Sequence, residues 1–196
     1  MALELKNLKK SFGRKMIFQN LSYYFNDHGI YTIVGESGIG KTTLLRIIAG
    51  LDSDFSGEVN RPKKLSFAFQ EHRLFPHLNV IDNILITFSD RKNKADRNKA
   101  IDMLRSLGFN DADMLLYPDQ LSGGMKQRVS LARAFLYDAE VMLLDEPTKE
   151  LDEANAKKVK SIIKRLSENR LVILVSHNAV DHTELSSKII NLEDYK

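Results

Sequence analysis

The sequence predicts an α/β fold in which a mostly parallel sheet is buried between helices, with an antiparallel β element near the N-terminus and an inserted helical subdomain. Three observations predict it. The final third alternates apolar stretches, "AEVMLLD" (139–145) and "RLVILVS" (170–176), with a helix-like one, "LDEANAKKVKSIIKRLSEN" (151–169). Near-continuous apolar strands separated by helices are the pattern of a parallel sheet covered on both faces. The segment from 71 to about 130 is rich in helical stretches and poor in strands. Residues 30–51, "IYTIVGESGIGKTTLLRIIAGL", carry an apolar strand through three glycines into a helix.

Taken in order, "ALELKNL" (2–8), "FQNLSYYF" (18–25), residues 30–34 and "KLSFAFQ" (64–70) read as strands joined by turns. A helix follows Lys41, with Leu44, Leu45, Ile47, Ile48 and Leu51 on its apolar face, and Gly50 suits its end. "NVIDNILITF" (79–88), "KADRNKAIDMLRSLGF" (94–109) and "KQRVSLARAFLYD" (126–138) read as helices, and "SKIINLE" (187–193) as a last strand. The expected organisation is one domain over residues 1–196, with a core of about 1–70 and 131–196 and a helical subdomain of about 71–130.

Composition narrows the function. With 196 residues the chain can bury a proper core, and with no cysteine it has neither disulfides nor thiolate metal sites, which fits a reducing compartment. Its apolar runs fall far short of the roughly 20 residues that span a bilayer, and the N-terminal stretch lacks the apolar centre of a secretion signal. A net charge of +3 is mild. The densest basic patch, Arg91, Lys92 and Lys94, has no interleaved aromatics, so nucleic acid is not expected as a partner.

The glycines are wanted for their backbones. Gly35, Glu36, Ser37, Gly38, Ile39, Gly40, Lys41 and Thr42 match G-x-x-x-x-G-K-[ST] between a strand and a helix, the phosphate loop of nucleoside triphosphatases. Inward N–H groups and the positive end of the following helix suit phosphate oxygens. Lys41 would reach the β- and γ-phosphates, the Thr42 hydroxyl would ligate Mg²⁺, and Thr43 completes the nucleotide-binding stretch. "VMLLDEP" (141–147) places Asp145 and Glu146 at the C-terminal end of a buried strand, where open α/β sheets bind ligands. Asp145 would hold Mg²⁺ and Glu146 would orient or deprotonate the attacking water. An ordinary glycine turn would leave Lys41 and Thr42 unexplained, and an acidic pair alone could be a helix cap. Together they read as one site for ATP and Mg²⁺.

"LSGGMKQRVSLARA" (121–134) resembles the signature segment of the ABC (ATP-binding cassette) ATPases, particularly small bacterial importer cassettes, and stands shortly before the acidic strand as in that family. The resemblance covers essentially the whole chain and implies further roles. Gln70 resembles the Q-loop glutamine that touches Mg²⁺ and the attacking water. His177 resembles the switch histidine at the γ-phosphate, and Phe12 the aromatic residue against adenine. Ser122, Gly123 and Gly124 would face the γ-phosphate held by a second cassette, so that two chains, expected as a homodimer, sandwich two ATP molecules. The chain departs from the family at Lys149-Glu150, where Ser followed by Ala or Gly is common, and at Glu36, where proline is common. The segment "EHRLFPHLNVIDNI" (71–84) resembles importer cassettes, with Leu74, Phe75 and Pro76 as candidate contacts to a membrane subunit. The implied function is the ATPase of a membrane transporter. Its partners would be transmembrane permease subunits and a substrate-binding protein, and its place the cytoplasmic face of the membrane. A soluble ABC ATPase and an ATP-gated dimerisation switch are the alternatives.

Overall fold

The computed structural model describes residues 3–176, 183–185 and 187–196. It divides into two compact units. The first comprises residues 1–67, 139–146 and 164–196, the second residues 68–138 and 147–163. The second unit thus takes in more chain on both sides of the acidic strand than the expected insertion of 71–130.

The first unit holds two sheets. Strands β1 (Glu4–Phe12), β2 (Lys15–Tyr24) and β4 (Ser56–Asn60) form an antiparallel sheet in the order β2-β1-β4. Strands β3 (Gly29–Val34), β5 (Leu65–Ala68), β6 (Val141–Asp145), β7 (Leu171–Val175) and β8 (Lys188–Asn191) form the second sheet, in the order β5-β6-β7-β3-β8. β3 lies parallel to β7 and β8, and β6 parallel to β7. Every residue of β6 and β7 is buried, which is why both read as unbroken apolar runs. β4 was not visible in the sequence because "SGEVN" has one apolar residue and pairs along the sheet edge against β1.

Helix α1 (Lys41–Ile48) buries Leu44, Leu45, Ile47 and Ile48 in a core shared with Leu5, Leu8, Phe18, Leu21, Ile33, Leu143 and Ile173. Fully burying side chains of this kind contributes about 1.5–3 kcal/mol each before chain entropy is subtracted. That core fixes the strand ends and the helix start on which the site is built.

The second unit is helical: α2 (Val80–Leu85), α3 (Lys94–Ser106) and α4 (Gly123–Leu136). α5 (Glu153–Ser167) begins in the second unit and ends in the first. α2 stops earlier than its apolar pattern, at Leu85. The Thr87 hydroxyl donates to the Ile84 carbonyl at 2.9 Å and its amide to the same oxygen at 3.0 Å, closing a turn. Asn79 and Asn93 cap α2 and α3 by accepting from first-turn amides. Among the described residues no helix is long and apolar enough to cross a membrane.

Candidate functional site

In the first unit, β3 feeds the glycine loop and α1 leaves it. Gly40 precedes the helix with φ of +110°, and a Cβ there would meet Ile17 Cγ2. Only glycine satisfies both the left-handed backbone and that close approach. Gly40 brings no side chain to cap α1, and the first turn of the helix, Lys41-Thr42-Thr43, carries no acidic residue. Those first amides and the helix dipole therefore favour an anion.

Lys41 is buried, and its ammonium lies in the hollow of the loop, donating to the Gly35 carbonyl at 2.7 Å and the Glu36 carbonyl at 2.8 Å. Burial pulls its pKa below the ordinary lysine value, while the charges of Glu146, Asp145 and Glu193 oppose that fall. The structure therefore brings Lys41 within the field of the acidic pair at the end of β6. Asp145 is buried, and Glu146 has φ of +52°. The Glu146 amide donates to the Val175 carbonyl at 3.0 Å, anchoring the residue to β7. A left-handed conformation in a residue other than glycine costs about 1–3 kcal/mol, and here it sits at the C-terminal edge of the sheet. Glu36, Ser37, Gly38 and Thr42 are exposed, Ile39 is buried and Thr43 half-buried.

A shallow cleft of about 100 Å³ runs beside the loop, lined by Glu36, Ser37, Gly38 and Ile39 on one side and Lys15, Met16 and Ile17 of β2 on another. Phe12 stands directly across the strands from Lys15 and is 53 % exposed. A large aromatic ring is left uncovered at the hairpin beside the cleft.

Thr42 and Asp145 offer a hydroxyl and a carboxylate, the hard oxygen donors that suit Mg²⁺. No group of three or more His, Cys, Asp or Glu side chains among the described residues could hold a metal. The donor set fits a hexacoordinate ion that keeps waters and shares the nucleotide's phosphates.

Gln70 lies in the second unit, exposed, two residues past β5. Ser122, Gly123 and Gly124 are also in that unit. Ser122 caps α4 by accepting from the Met125 amide at 3.3 Å, and Gly123 is already the first residue of the helix. His177 lies outside the described residues.

Several residues at these places escaped the sequence reading. The Glu193 carboxylate accepts from the Glu36 amide at 3.3 Å. The carboxylate of Glu150 lies over Gly123, where a Cβ would be 2.6 Å from its Oε2, and 3.4 Å from His72 Nε2. Lys10 lies beneath Phe12. The first two of these link residues far apart in the chain, and no spacing rule reaches that far.

A family model described as ABC transporter matches residues 18–149. The chain belongs to the ABC transporter family. This cassette is 37 % identical over 197 residues to an aliphatic sulfonates import ATP-binding protein of Bacillus cereus, the match covering 94 % of this chain and 77 % of the relative. It is 35 % identical over 212 residues to the sulfate/thiosulfate import ATP-binding protein of Escherichia coli, covering 97 % of the cassette but 57 % of that relative. Among solved structures, a dimeric ATP-binding cassette in a post-hydrolysis state with ADP and Pi matches with a TM-score of 0.84 at 27 % identity, over 97 % of this chain and 94 % of that one. A dimeric bacterial ABC transporter cassette matches with a TM-score of 0.85 at 28 % identity, with the same coverage. The cassette is an ATP-binding and ATP-hydrolysing subunit of the transporter class.

Proposed function

We propose that this chain powers an importer, acting as one of two identical cassettes held to transmembrane permease subunits at the cytoplasmic face of the membrane, with a substrate-binding protein as a further component. The observation that carries the reading is the glycine loop with Lys41 in its hollow, facing the charges of Asp145 and Glu146. Similarity to import ATP-binding proteins over nearly the whole chain supports the direction of transport.

In this reading ATP enters along the cleft. Its phosphates take the N–H groups of Gly38 to Thr42, and the Lys41 ammonium exchanges two loop carbonyls for β- and γ-phosphate oxygens. Mg²⁺, bound with the nucleotide, would neutralise developing phosphate charge. Thr42 and Asp145 would hold it, with Gln70 as a further oxygen donor. Glu146 would accept the proton of the attacking water, and His177 would contact the γ-phosphate. Phe12 would offer its exposed face to the adenine.

Ser122, Gly123 and Gly124 would act across to the γ-phosphate held by the second cassette, so that bound ATP forms part of the interface and hydrolysis loosens it. Loop residues Leu74, Phe75 and Pro76 would contact the permease.

The test is ATP hydrolysis as a function of chain concentration in Mg²⁺, with size-exclusion chromatography of the wild type and Glu146→Gln. The expected result is a specific activity that climbs with concentration, loss of turnover in E146Q, and an ATP-dependent dimer of that variant. A specific activity independent of concentration would remove the two-cassette reading. Undiminished turnover in E146Q would remove the role of Glu146.

A further inference from the structure

Lys10 is an unusual residue for a buried position. It lies on β1, and its side chain is 1 % exposed. Uncompensated burial of an ammonium costs several kcal/mol. Here the charge is met on several sides. Asp52 presents both carboxylate oxygens at 3.0 and 3.1 Å, and Asp54 presents its backbone carbonyl and, at 3.3 Å, a carboxylate oxygen. Burial alone would lower the Lys10 pKa, yet these hydrogen bonds and charges raise it above the ordinary value. Lys10 is therefore a fixed cation.

The ammonium also lies 4.7 Å from the centroid of the Phe12 ring, two residues further along β1. A cation over an aromatic face within about 6 Å is attracted to the ring quadrupole. It draws π-density toward itself, so the other face of the ring becomes less negative. Two stacked π-systems repel through their negative faces, and a ring polarised in this way stacks better on an electron-rich base. The ring remains 53 % exposed, at the hairpin whose Lys15, Met16 and Ile17 line the cleft.

The anchors have an origin of their own. Asp52 and Asp54 lie in the turn that follows α1, and the Leu51 and Asp52 amides return to the Arg46 carbonyl at 2.8 and 3.3 Å. The helix that starts at the phosphate loop therefore ends in the turn that grips Lys10. A single helix thus connects the phosphate loop to the turn that holds the lysine beneath Phe12.

We propose that Lys10 is a positioning residue for the nucleotide base, its ammonium holding and polarising the Phe12 ring as a stacking platform. This rests on the reading of Phe12 as the adenine contact, and the test separates the two. Binding of Mg-ATP and of inorganic tripolyphosphate, which has no base, is measured calorimetrically on the full chain for wild type, Lys10→Met, Phe12→Ala and the double variant. K10M keeps the aliphatic stem and removes the charge.

The expected result is an ATP Kd about fivefold weaker in K10M, with tripolyphosphate binding unchanged. F12A should lose at least as much, the double variant should be no worse than F12A, and Lys10→Arg should restore most of the ATP affinity. Equal weakening of both ligands in K10M would mean a merely structural lysine and overturn the proposal. A selective loss in F12A with none in K10M would overturn the role of Lys10 alone, and an unchanged ligand ratio in F12A would remove the platform itself. If K10M fails to fold, Asp54→Ala takes its place. That carboxylate is exposed, so its removal loosens the ammonium without stranding a buried charge. A smaller loss, selective for ATP, is then expected, and equal or absent effects on both ligands would refute the proposal.

Discussion

Asn83→Leu should destabilise the chain by about 2–3 kcal/mol, because one side chain organises the whole loop from Phe75 to Asn79. Asn83 is fully buried on α2. Its Oδ1 accepts from the Phe75 amide at 2.8 Å, and its Nδ2 donates to the carbonyls of Phe75 at 3.1 Å, Leu78 at 2.8 Å and Asn79 at 3.1 Å. Leucine is close in volume, so little cavity term arises and the loss is that of polar partners. Two of the four groups keep a second bond. The Phe75 carbonyl still accepts from the Leu78 amide, and the Asn79 carbonyl from the Asn83 amide. The Phe75 amide and the Leu78 carbonyl lose the bond this side chain makes. Each such group, where buried, costs roughly 1–3 kcal/mol. The loop is partly open to water, which places the sum near the lower half of the range.

Urea denaturation of wild type and N83L measures the difference, and a loss under about 1 kcal/mol at unchanged m-value would refute the reasoning. Asn79→Ala, which removes one cap, provides the scale at about 1 kcal/mol. Phe75 and Pro76 are exposed on this loop, so the proposed permease contact predicts that N83L also weakens permease binding more than N79A does.

Gly124→Ala should be more damaging than Gly123→Ala. A Cβ at Gly124 would lie 2.9 Å from the Glu150 backbone carbonyl, which cannot swing away, whereas at Gly123 it meets the flexible end of the Glu150 side chain. Melting temperatures order the pair, and Glu150→Ala should relieve G123A but not G124A. Gly40→Ala should abolish nucleotide binding and cost at least about 1–3 kcal/mol of stability, read by calorimetry and thermal melts.

The Lys10–Asp52 pair predicts a pH dependence. Burial would raise the Asp52 carboxyl, but the hydrogen bonds from Lys10 and the Asp54 amide hold it below the usual 3.8. Its contribution is thus present above pH 3.8 and is lost as pH falls through the lower folded value. Lys10, raised above 10.5, contributes below that pH and loses it as pH rises through the higher folded value. Asp52→Asn should therefore be less stable than wild type by about 2 kcal/mol at neutral pH, and the gap should close in strong acid. A gap independent of pH would exclude the pair as its source.

Much of the fold was legible because its signals are local. "VMLLD" and "LVILV" announce buried parallel strands by their composition alone, and the phosphate loop announces itself because glycines, a lysine and a threonine at fixed spacing have few other uses. The edge strand "SGEVN" was invisible because its pairing to β1, not its own side chains, makes it a strand. α2 runs shorter than its apolar pattern because a threonine hydroxyl turns the chain at Ile84.

The sequence by itself determined most of the α and β elements, though not β4, together with the phosphate loop, the acidic strand end and the family to which they belong. All of these are written within runs of fewer than 20 residues. Only the tertiary structure decided that Lys10 sits beneath Phe12 between Asp52 and Asp54, that Glu193 meets the loop amide of Glu36, and that Glu150 covers Gly123. The lysine and glutamate contacts of the first two join residues more than 40 positions apart. Such neighbours are chosen by the shared burial of strands and helix against one core, a free-energy balance that no local pattern of residues records.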